Sequence, residues 1–240
     1  MPTITASTNG GGVYVTNQTS HANARNADTG TTVIPITSRS QNAFTYQRAA
    51  GRSGTAYAIY RSFLQFDTSG ISGTVSAATL KIYGYVNGNA DVIIVKSSAF
   101  GSGYEGAALV KEDYDSIPGF TDDQDMNGNV TDYSSEITTW STSGYNDITL
   151  NAQALTDMQN DDVFKIAIVN HDHDYKNQDP GINATNAGGM YFEFYTGTST
   201  DPIIDYTVAG YSHSVNTLSS ANIGEINTVA TANIAEVNGL

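Results

Sequence analysis

Between Arg61 and Tyr83 the chain alternates apolar and polar residues with a period of two, first over Arg61–Asp67 and again over Ala78–Tyr83. In the first run Ser62, Leu64 and Phe66 fall on one face, and Arg61, Phe63 and Gln65 on the other. In the second, Ala78, Leu80 and Ile82 alternate with Thr79, Lys81 and Tyr83. This alternation predicts half-buried β-strands that each pack one face on a core. Asp67, Ser69, Gly70, Ser72 and Gly73 lie between them and favour turns, with Ile71 placed to pin the connection onto the sheet. A connection this long predicts a crossing to a second sheet rather than a tight hairpin.

The same reading extends along the chain. Val13–Val15 predicts a first strand, residues 17–30 a polar loop, and Thr31–Ile36 an edge strand, because Pro35 cannot donate to a ladder. Ala43–Tyr46 and Ala56–Tyr60 are further strand candidates. Asp91–Val95 is apolar after its first residue and predicts a strand buried on both faces. Ser134–Trp140 reads as a strand, and Leu150–Met158 as a helix with Leu150, Ala154, Leu155 and Met158 on one face. Val163–Val169 predicts a central strand, Tyr191–Tyr195 an aromatic one, and Pro202–Val208 the closing strand. The fold class expected is all-β, an antiparallel β-sandwich over residues 1–208.

Beyond Val208 the pattern changes. Residues 215–225, VNTLSSANIGE, are echoed by 226–236, INTVATANIAE, and a third copy opens at Val237, giving a period of eleven. Val215, Leu218, Ile223, Ile226, Val229, Ile234 and Val237 are its recurring apolar positions. Repeats this short cannot bury such residues alone, so residues 209–240 are expected to be an assembly or anchor segment. An eleven-residue period suits a right-handed helical supercoil. The Asn, Thr, Gly and β-branched content opposes helix, and Asn-Thr and Asn-Gly at equivalent places predict strand-and-turn units.

Arg61, Leu64, Phe66 and Asp67, followed after the Gly/Ser turns by Ser76, Ala78, Leu80, Ile82 and Tyr83, resemble the signature of the DNRLRE family of β-sandwich domains. Asp147-Ile148-Thr149 and the Pro202–Val208 strand resemble later elements of that family, so the likeness spans about residues 12–208. The V-N-G-type tail resembles repeats in structural proteins of marine bacteriophages. The resemblance implies a jelly-roll-like sandwich of the kind found in extracellular carbohydrate-associated proteins, virus particles and carbohydrate-binding modules. Its motifs are core and turn residues, so they speak to fold rather than activity.

Composition narrows the function. Of 240 residues only 14% are charged, ten basic against 24 acidic, for a net charge of −14. Nucleic-acid binding through phosphates is therefore not expected. There is no cysteine, hence no disulfide framework and no thiolate metal site. The opening MPTITASTNGGG lacks the basic and apolar regions of a signal peptide, and no apolar run is long enough to span a bilayer.

Several residues carry candidate chemistry. Asp123-Gln124-Asp125-Met126-Asn127-Gly128 opens like a calcium loop, so Asp123, Asp125, Asn127 and Asn129 are candidate Ca²⁺ ligands, although position twelve is Ser134 rather than Glu. A solvated acidic turn is the competing reading. In Asn170-His171-Asp172-His173-Asp174, an extended chain would put both histidines on one face and both aspartates on the other, each a possible chelating pair. Arg39, Arg48, Arg52 and Arg61 form the one locally basic stretch, suited to an acidic sugar or to a neighbouring subunit. Trp140, the sole Trp, is a candidate glycan platform together with Arg48 and Arg52, and otherwise a core residue. No nucleophile, phosphate-loop or HExxH motif is present, so a non-enzymatic role is expected. That role is a structural subunit of a virion or extracellular assembly, with homo-oligomeric or other virion partners. The alternative is a carbohydrate-binding module, with or without calcium.

Overall fold

In a computed structural model of the chain, the Arg61–Asp67 run is the second half of one 13-residue strand, β5 (Thr55–Asp67). The structure describes residues 1–35, 41–49, 55–84, 90–181, 187–192 and 199–209, together with 225–226 and 229–230. One edge of β5 pairs with β2 (Gly11–Gln18). Its other edge pairs first with β4 (Gln41–Ala49) and then, from Ser62 onward, with β9 (Val163–Asn170). Beyond these lie β3 (Thr32–Pro35) on β2, β10 (Ala187–Phe192) on β4, and β7 (Val92–Lys96) on β9, completing a seven-stranded antiparallel sheet. The second sheet has four antiparallel strands in the order β1 (Thr3–Thr5), β11 (Ile203–Val208), β6 (Val75–Tyr83) and β8 (Tyr145–Thr149).

The chain therefore crosses from one sheet to the other between β5 and β6, as the length of that connection predicts, and Ile71 packs on the core from within it. Leu64 and Phe66 meet Ala78, Leu80, Ile82, Ile148 and Ile204 between the sheets. The helix α2 (Ala152–Asn160) adds Ala154 and Met158 to this core. Asn151 caps it by accepting from the Ala154 amide, a polar ending for a helix with one apolar face. Asp157 then ties α2 to its surroundings, accepting from Lys96 Nζ (2.8 Å), the Tyr133 hydroxyl (2.5 Å) and Gln153 Nε2 (2.8 Å). Desolvation pushes the Asp157 carboxyl up, but these donors together outweigh it and hold it below the ordinary carboxylate value.

β5 departs from the half-buried expectation. Residues 61–66 are buried on both faces. Phe63 enters a second core with Val13, Ile59, Ile93, Val95 and Val169, roofed by the long connection after β7. That connection carries the acidic run of residues 112–132, yet it sends Tyr114, Ile117, Met126 and Val130 down onto the sheet. The alternation of Val92 and Ile94 into one core, and of Ile93 and Val95 into the other, bears out a strand buried on both sides.

Other elements differ from the sequence expectation. Residues 17–30 hold a one-turn helix, α1 (His21–Arg25), started by Ser20, whose hydroxyl accepts from Asn23 N. Ala56–Tyr60 is continuous with the strand that follows it. Ser134–Trp140 is not a regular strand; Ile137 bridges to Val92, and the rest runs as a strap beside β7. β11 lies inside its sheet, with β1 outside it as the edge. β3, with Pro35, is an edge as predicted. In the C-terminal segment β12 (Glu225–Ile226) and β13 (Val229–Ala230) pair antiparallel, Ile226 opposite Val229, where the repeat predicts a strand-and-turn unit. Val215, Leu218, Ile223, Ile234 and Val237 lie outside the described residues. Among the described residues, no helix is long and apolar enough to cross a membrane.

Candidate ligand groove

β8 is an edge strand, and the strap over residues 134–141 runs past it, leaving a groove between the two. Its two contiguous stretches, of about 480 and 370 Å³, share Ile137, Thr139, Asp147 and Ile148. Trp140, Ser141 and Tyr145 stand at one end, and Ser135, Glu136 and Asn151 at the other. Apolar and hydroxyl-bearing side chains thus line an open trough, with the Asp147 carboxylate at its middle and that of Glu136 toward one end.

The aromatic end is held in place. Trp140 is half-buried against the inter-sheet core. Gly84 lies beneath it, and a Cβ there would overlap the Ser141 carbonyl and press on the indole nitrogen. Asn146 closes the turn by accepting from Ser141 N (2.7 Å) and donating to the Ser141 carbonyl (3.0 Å). The Tyr145 hydroxyl reaches the carbonyls of Ser199 (2.9 Å) and Asp201 (2.8 Å), and its ring meets Tyr83 edge-on at 5.5 Å. Burial, with Asp201 adding, pushes the Tyr145 phenol up, so this hydroxyl stays a proton donor. Two aromatic rings are therefore oriented before any ligand arrives.

The other predicted site residues are dispersed. Arg48 stands opposite Ala56 on β4, away from the groove strands, and Arg52 lies outside the described residues, as does Arg39. Arg61 is not part of a basic surface. It is fully buried, because its face of β5 is the floor of the second core.

In the candidate calcium loop, Gly128 takes the left-handed conformation that a sharp turn requires (φ 78°). Asp123 Oδ1 accepts from Asn26 Nδ2 at 2.7 Å, and Asn129 turns back to the Asp125 carbonyl at 3.0 Å. Asn127 Oδ1 stands 3.3 Å from the Tyr175 hydroxyl, which donates to Asp132 at 2.8–2.9 Å. Met126 is buried, with its amide on the Tyr175 carbonyl, so the loop is anchored through its middle.

The His/Asp stretch is not extended. His171–Tyr175 coils into a single π-helical turn that starts where β9 ends, with Asn170 accepting from His173 N. Coiling breaks up both predicted pairs. His173 Nδ1 lies 2.7 Å from the Gln178 carbonyl, whereas His171 faces Asp91 and Glu136. Asp174 turns inward to Arg61, while Asp172 stays beside His171. Asp91 and Glu136, absent from every sequence expectation of ligation, carry no local motif; only the fold brings them together.

No family model and no curated protein matches this chain.

Proposed function

We propose that the chain is a non-enzymatic structural subunit of a virion or extracellular assembly, with the sandwich displayed and residues 209–240 serving as its attachment or oligomerisation segment. The observation that supports this reading is the change of pattern after Val208, where the strands of the sandwich give way to eleven-residue repeats. β11 is already paired on both edges, and the Ala209 amide closes onto the Thr74 carbonyl (2.7 Å), so the last strand of the four-stranded sheet is seated before the repeats begin. The repeats carry apolar residues every eleven positions and no Lys or Arg, which leaves burial against like surfaces as the driving force. Copies of one chain are the simplest such partners. A chain ending after Ala209 should fold with unchanged cooperativity and run as a monomer by light scattering, while the full chain assembles. A truncated chain that still assembles with the same stoichiometry would place the contacts in the sandwich and defeat the proposal.

A second reading, carbohydrate binding, is favoured by the groove. Trp140 and Tyr145 offer ring faces for stacking on sugar C–H surfaces, and the hydroxyls of Thr139 and Ser141 supply hydrogen bonds. Glu136 and Asp147 repel uronates, so the preferred class is a neutral polysaccharide. Trp140→Ala should weaken such binding by roughly tenfold or more, as loss of a central aromatic anchor does. Binding to neutral glycans that is unaffected by Trp140→Ala would remove the groove from consideration.

A further inference from the structure

We propose that Asp91, Glu136 and His171 form a binding site for a divalent first-row transition ion such as Zn²⁺, which bolts the strap to the edge of the seven-stranded sheet. This goes beyond the attachment role and does not depend on it.

The three residues are 35 or more positions apart in sequence, and backbone pairing places each of them. Val92 is the hub. It pairs with Asn170 on one side and bridges to Ile137 on the other. The Ile137 amide donates to the Val92 carbonyl at 2.8 Å, and the His171 amide to the Asp91 carbonyl at 2.9 Å. Asp91 and Glu136 therefore each precede a residue of this ladder, and His171 follows one. Their ligand atoms lie within 4.8 Å of one another.

The distances suit a small tetrahedral ion. Ligands ~2.1 Å from zinc stand about 3.4 Å from each other. His171 Nδ1 lies 3.7 Å from Asp91 Oδ1 and 3.6 Å from Glu136 Oε2. Asp172 Oδ1, at 3.1 Å, accepts the Nδ1 proton that a metal ion would replace, and solvent completes the coordination.

The surrounding groups orient the ligands as outer-shell partners do. The fully buried Asn170 donates to Asp91 Oδ2 at 3.0 Å, and the Asp172 amide lies 3.3 Å from Asp91 Oδ1. The Tyr175 ring stacks on the His171 imidazole at 5.5 Å, with 18° between planes. Charge gives a second reason. The ion pairs described for Asp91, Glu136 and Asp172 are all with His171, so three carboxylates share one imidazole. A divalent cation relieves the repulsion that one imidazolium cannot. An imidazole donor favours zinc-like ions over Ca²⁺, which takes oxygen ligands.

The test uses the full chain, stripped with chelator and titrated with Zn²⁺ or Co²⁺ while melting temperature and cobalt visible absorption are followed. The expected result is one equivalent bound, tetrahedral cobalt bands, and a melting temperature raised by about 5–10 °C at metal concentrations ~100 times Kd. His171→Ala should abolish these effects. Glu136→Gln, at an exposed position that does not threaten folding, should weaken binding at least tenfold, and Asp125→Asn should leave it unchanged. The proposal is overturned by the absence of a zinc-dependent shift in the natural chain, or by zinc binding that survives Glu136→Gln at full strength. A metal response that Asp125→Asn abolishes belongs to the Asp123 loop and overturns it as well.

Discussion

Phe63→Ala should destabilise the protein as severely as Phe66→Ala, each by about 3–5 kcal/mol. Both side chains are fully buried, yet they point into different cores. Phe66 fills the space between the sheets, where a cavity has no neighbour free to close it. Phe63 fills the space between the seven-stranded sheet and the connection after β7. The alternative is that this connection lies loosely on the sheet and collapses into the vacated volume, at a cost near 1 kcal/mol. Tyr114 makes tight packing the stronger expectation, because it is fully buried and its hydroxyl donates to the Ala24 carbonyl at 2.8 Å. Urea unfolding of both variants, followed by far-ultraviolet circular dichroism, gives the two energies. A Phe63→Ala cost below about 1 kcal/mol would show that the outer face of the sheet is merely covered. Because the two rings occupy separate cores, the double variant should approach the sum of the singles.

That comparison also shows where the sequence was informative. The period-two pattern of β6, with Ala78, Leu80 and Ile82 buried between less buried neighbours, is legible because one face of that strand meets the core and the other does not. β5 has the same local pattern and a different fate. Arg61 and Gln65 look like an exposed face, but a connection dozens of residues away covers them, and no local rule reports such coverage. The acidic run within 112–132 hides its packing role for a similar reason. Most of its carboxylates stay at the surface, the buried Asp113 excepted, while four apolar residues among them, at irregular spacing, reach the sheet. The helix α2 and the edge strand β3 were readable from an apolar face and a proline. Trp140 was legible as a core residue, and it does pack on the inter-sheet core while also lining the groove wall. Asp91 and Glu136 were not legible, since their proximity depends on the ladder centred on Val92.

Asp174→Asn should cost about 3–5 kcal/mol, the usual penalty for removing one partner of a buried ion pair. Asp174 is the carboxylate between two fully buried arginines. Arg61 holds it with two parallel bonds, Nε to Oδ2 and Nη2 to Oδ1, each 2.8 Å. Arg61 also donates to the carbonyls of Tyr114 (2.8 Å) and Arg25 (3.1 Å). Arg25 donates to the carbonyls of Asp174 (2.7 Å) and Gln124 (2.6 Å). Both guanidiniums lie 4.8 Å from the Phe120 ring centre, and Arg61 lies 4.1 Å from that of Tyr114. Burial alone would push Arg61 down, but Asp174 and Tyr114 outweigh it and raise the guanidinium above its ordinary value. A guanidinium does not give up its proton inside a protein, so an uncharged neighbour at 174 cannot be accommodated by loss of a proton. With Asn at 174, two cations remain in the interior, and an amide N–H₂ faces one of them. Arg61→Met should be comparably damaging, because it strands Asp174 with Arg25 alone. The double variant Arg61→Met with Asp174→Leu should be much less destabilised than the sum of Arg61→Met and Asp174→Leu alone, by at least ~1.5 kcal/mol of coupling. Additive losses, or an Asp174→Asn cost under 1 kcal/mol, would mean that the packing of Phe120 and Tyr114 holds these elements together without the charges. The consequence reaches the surface, because Asp174 anchors from inside the same five-residue turn that presents His171 to Asp91 and Glu136.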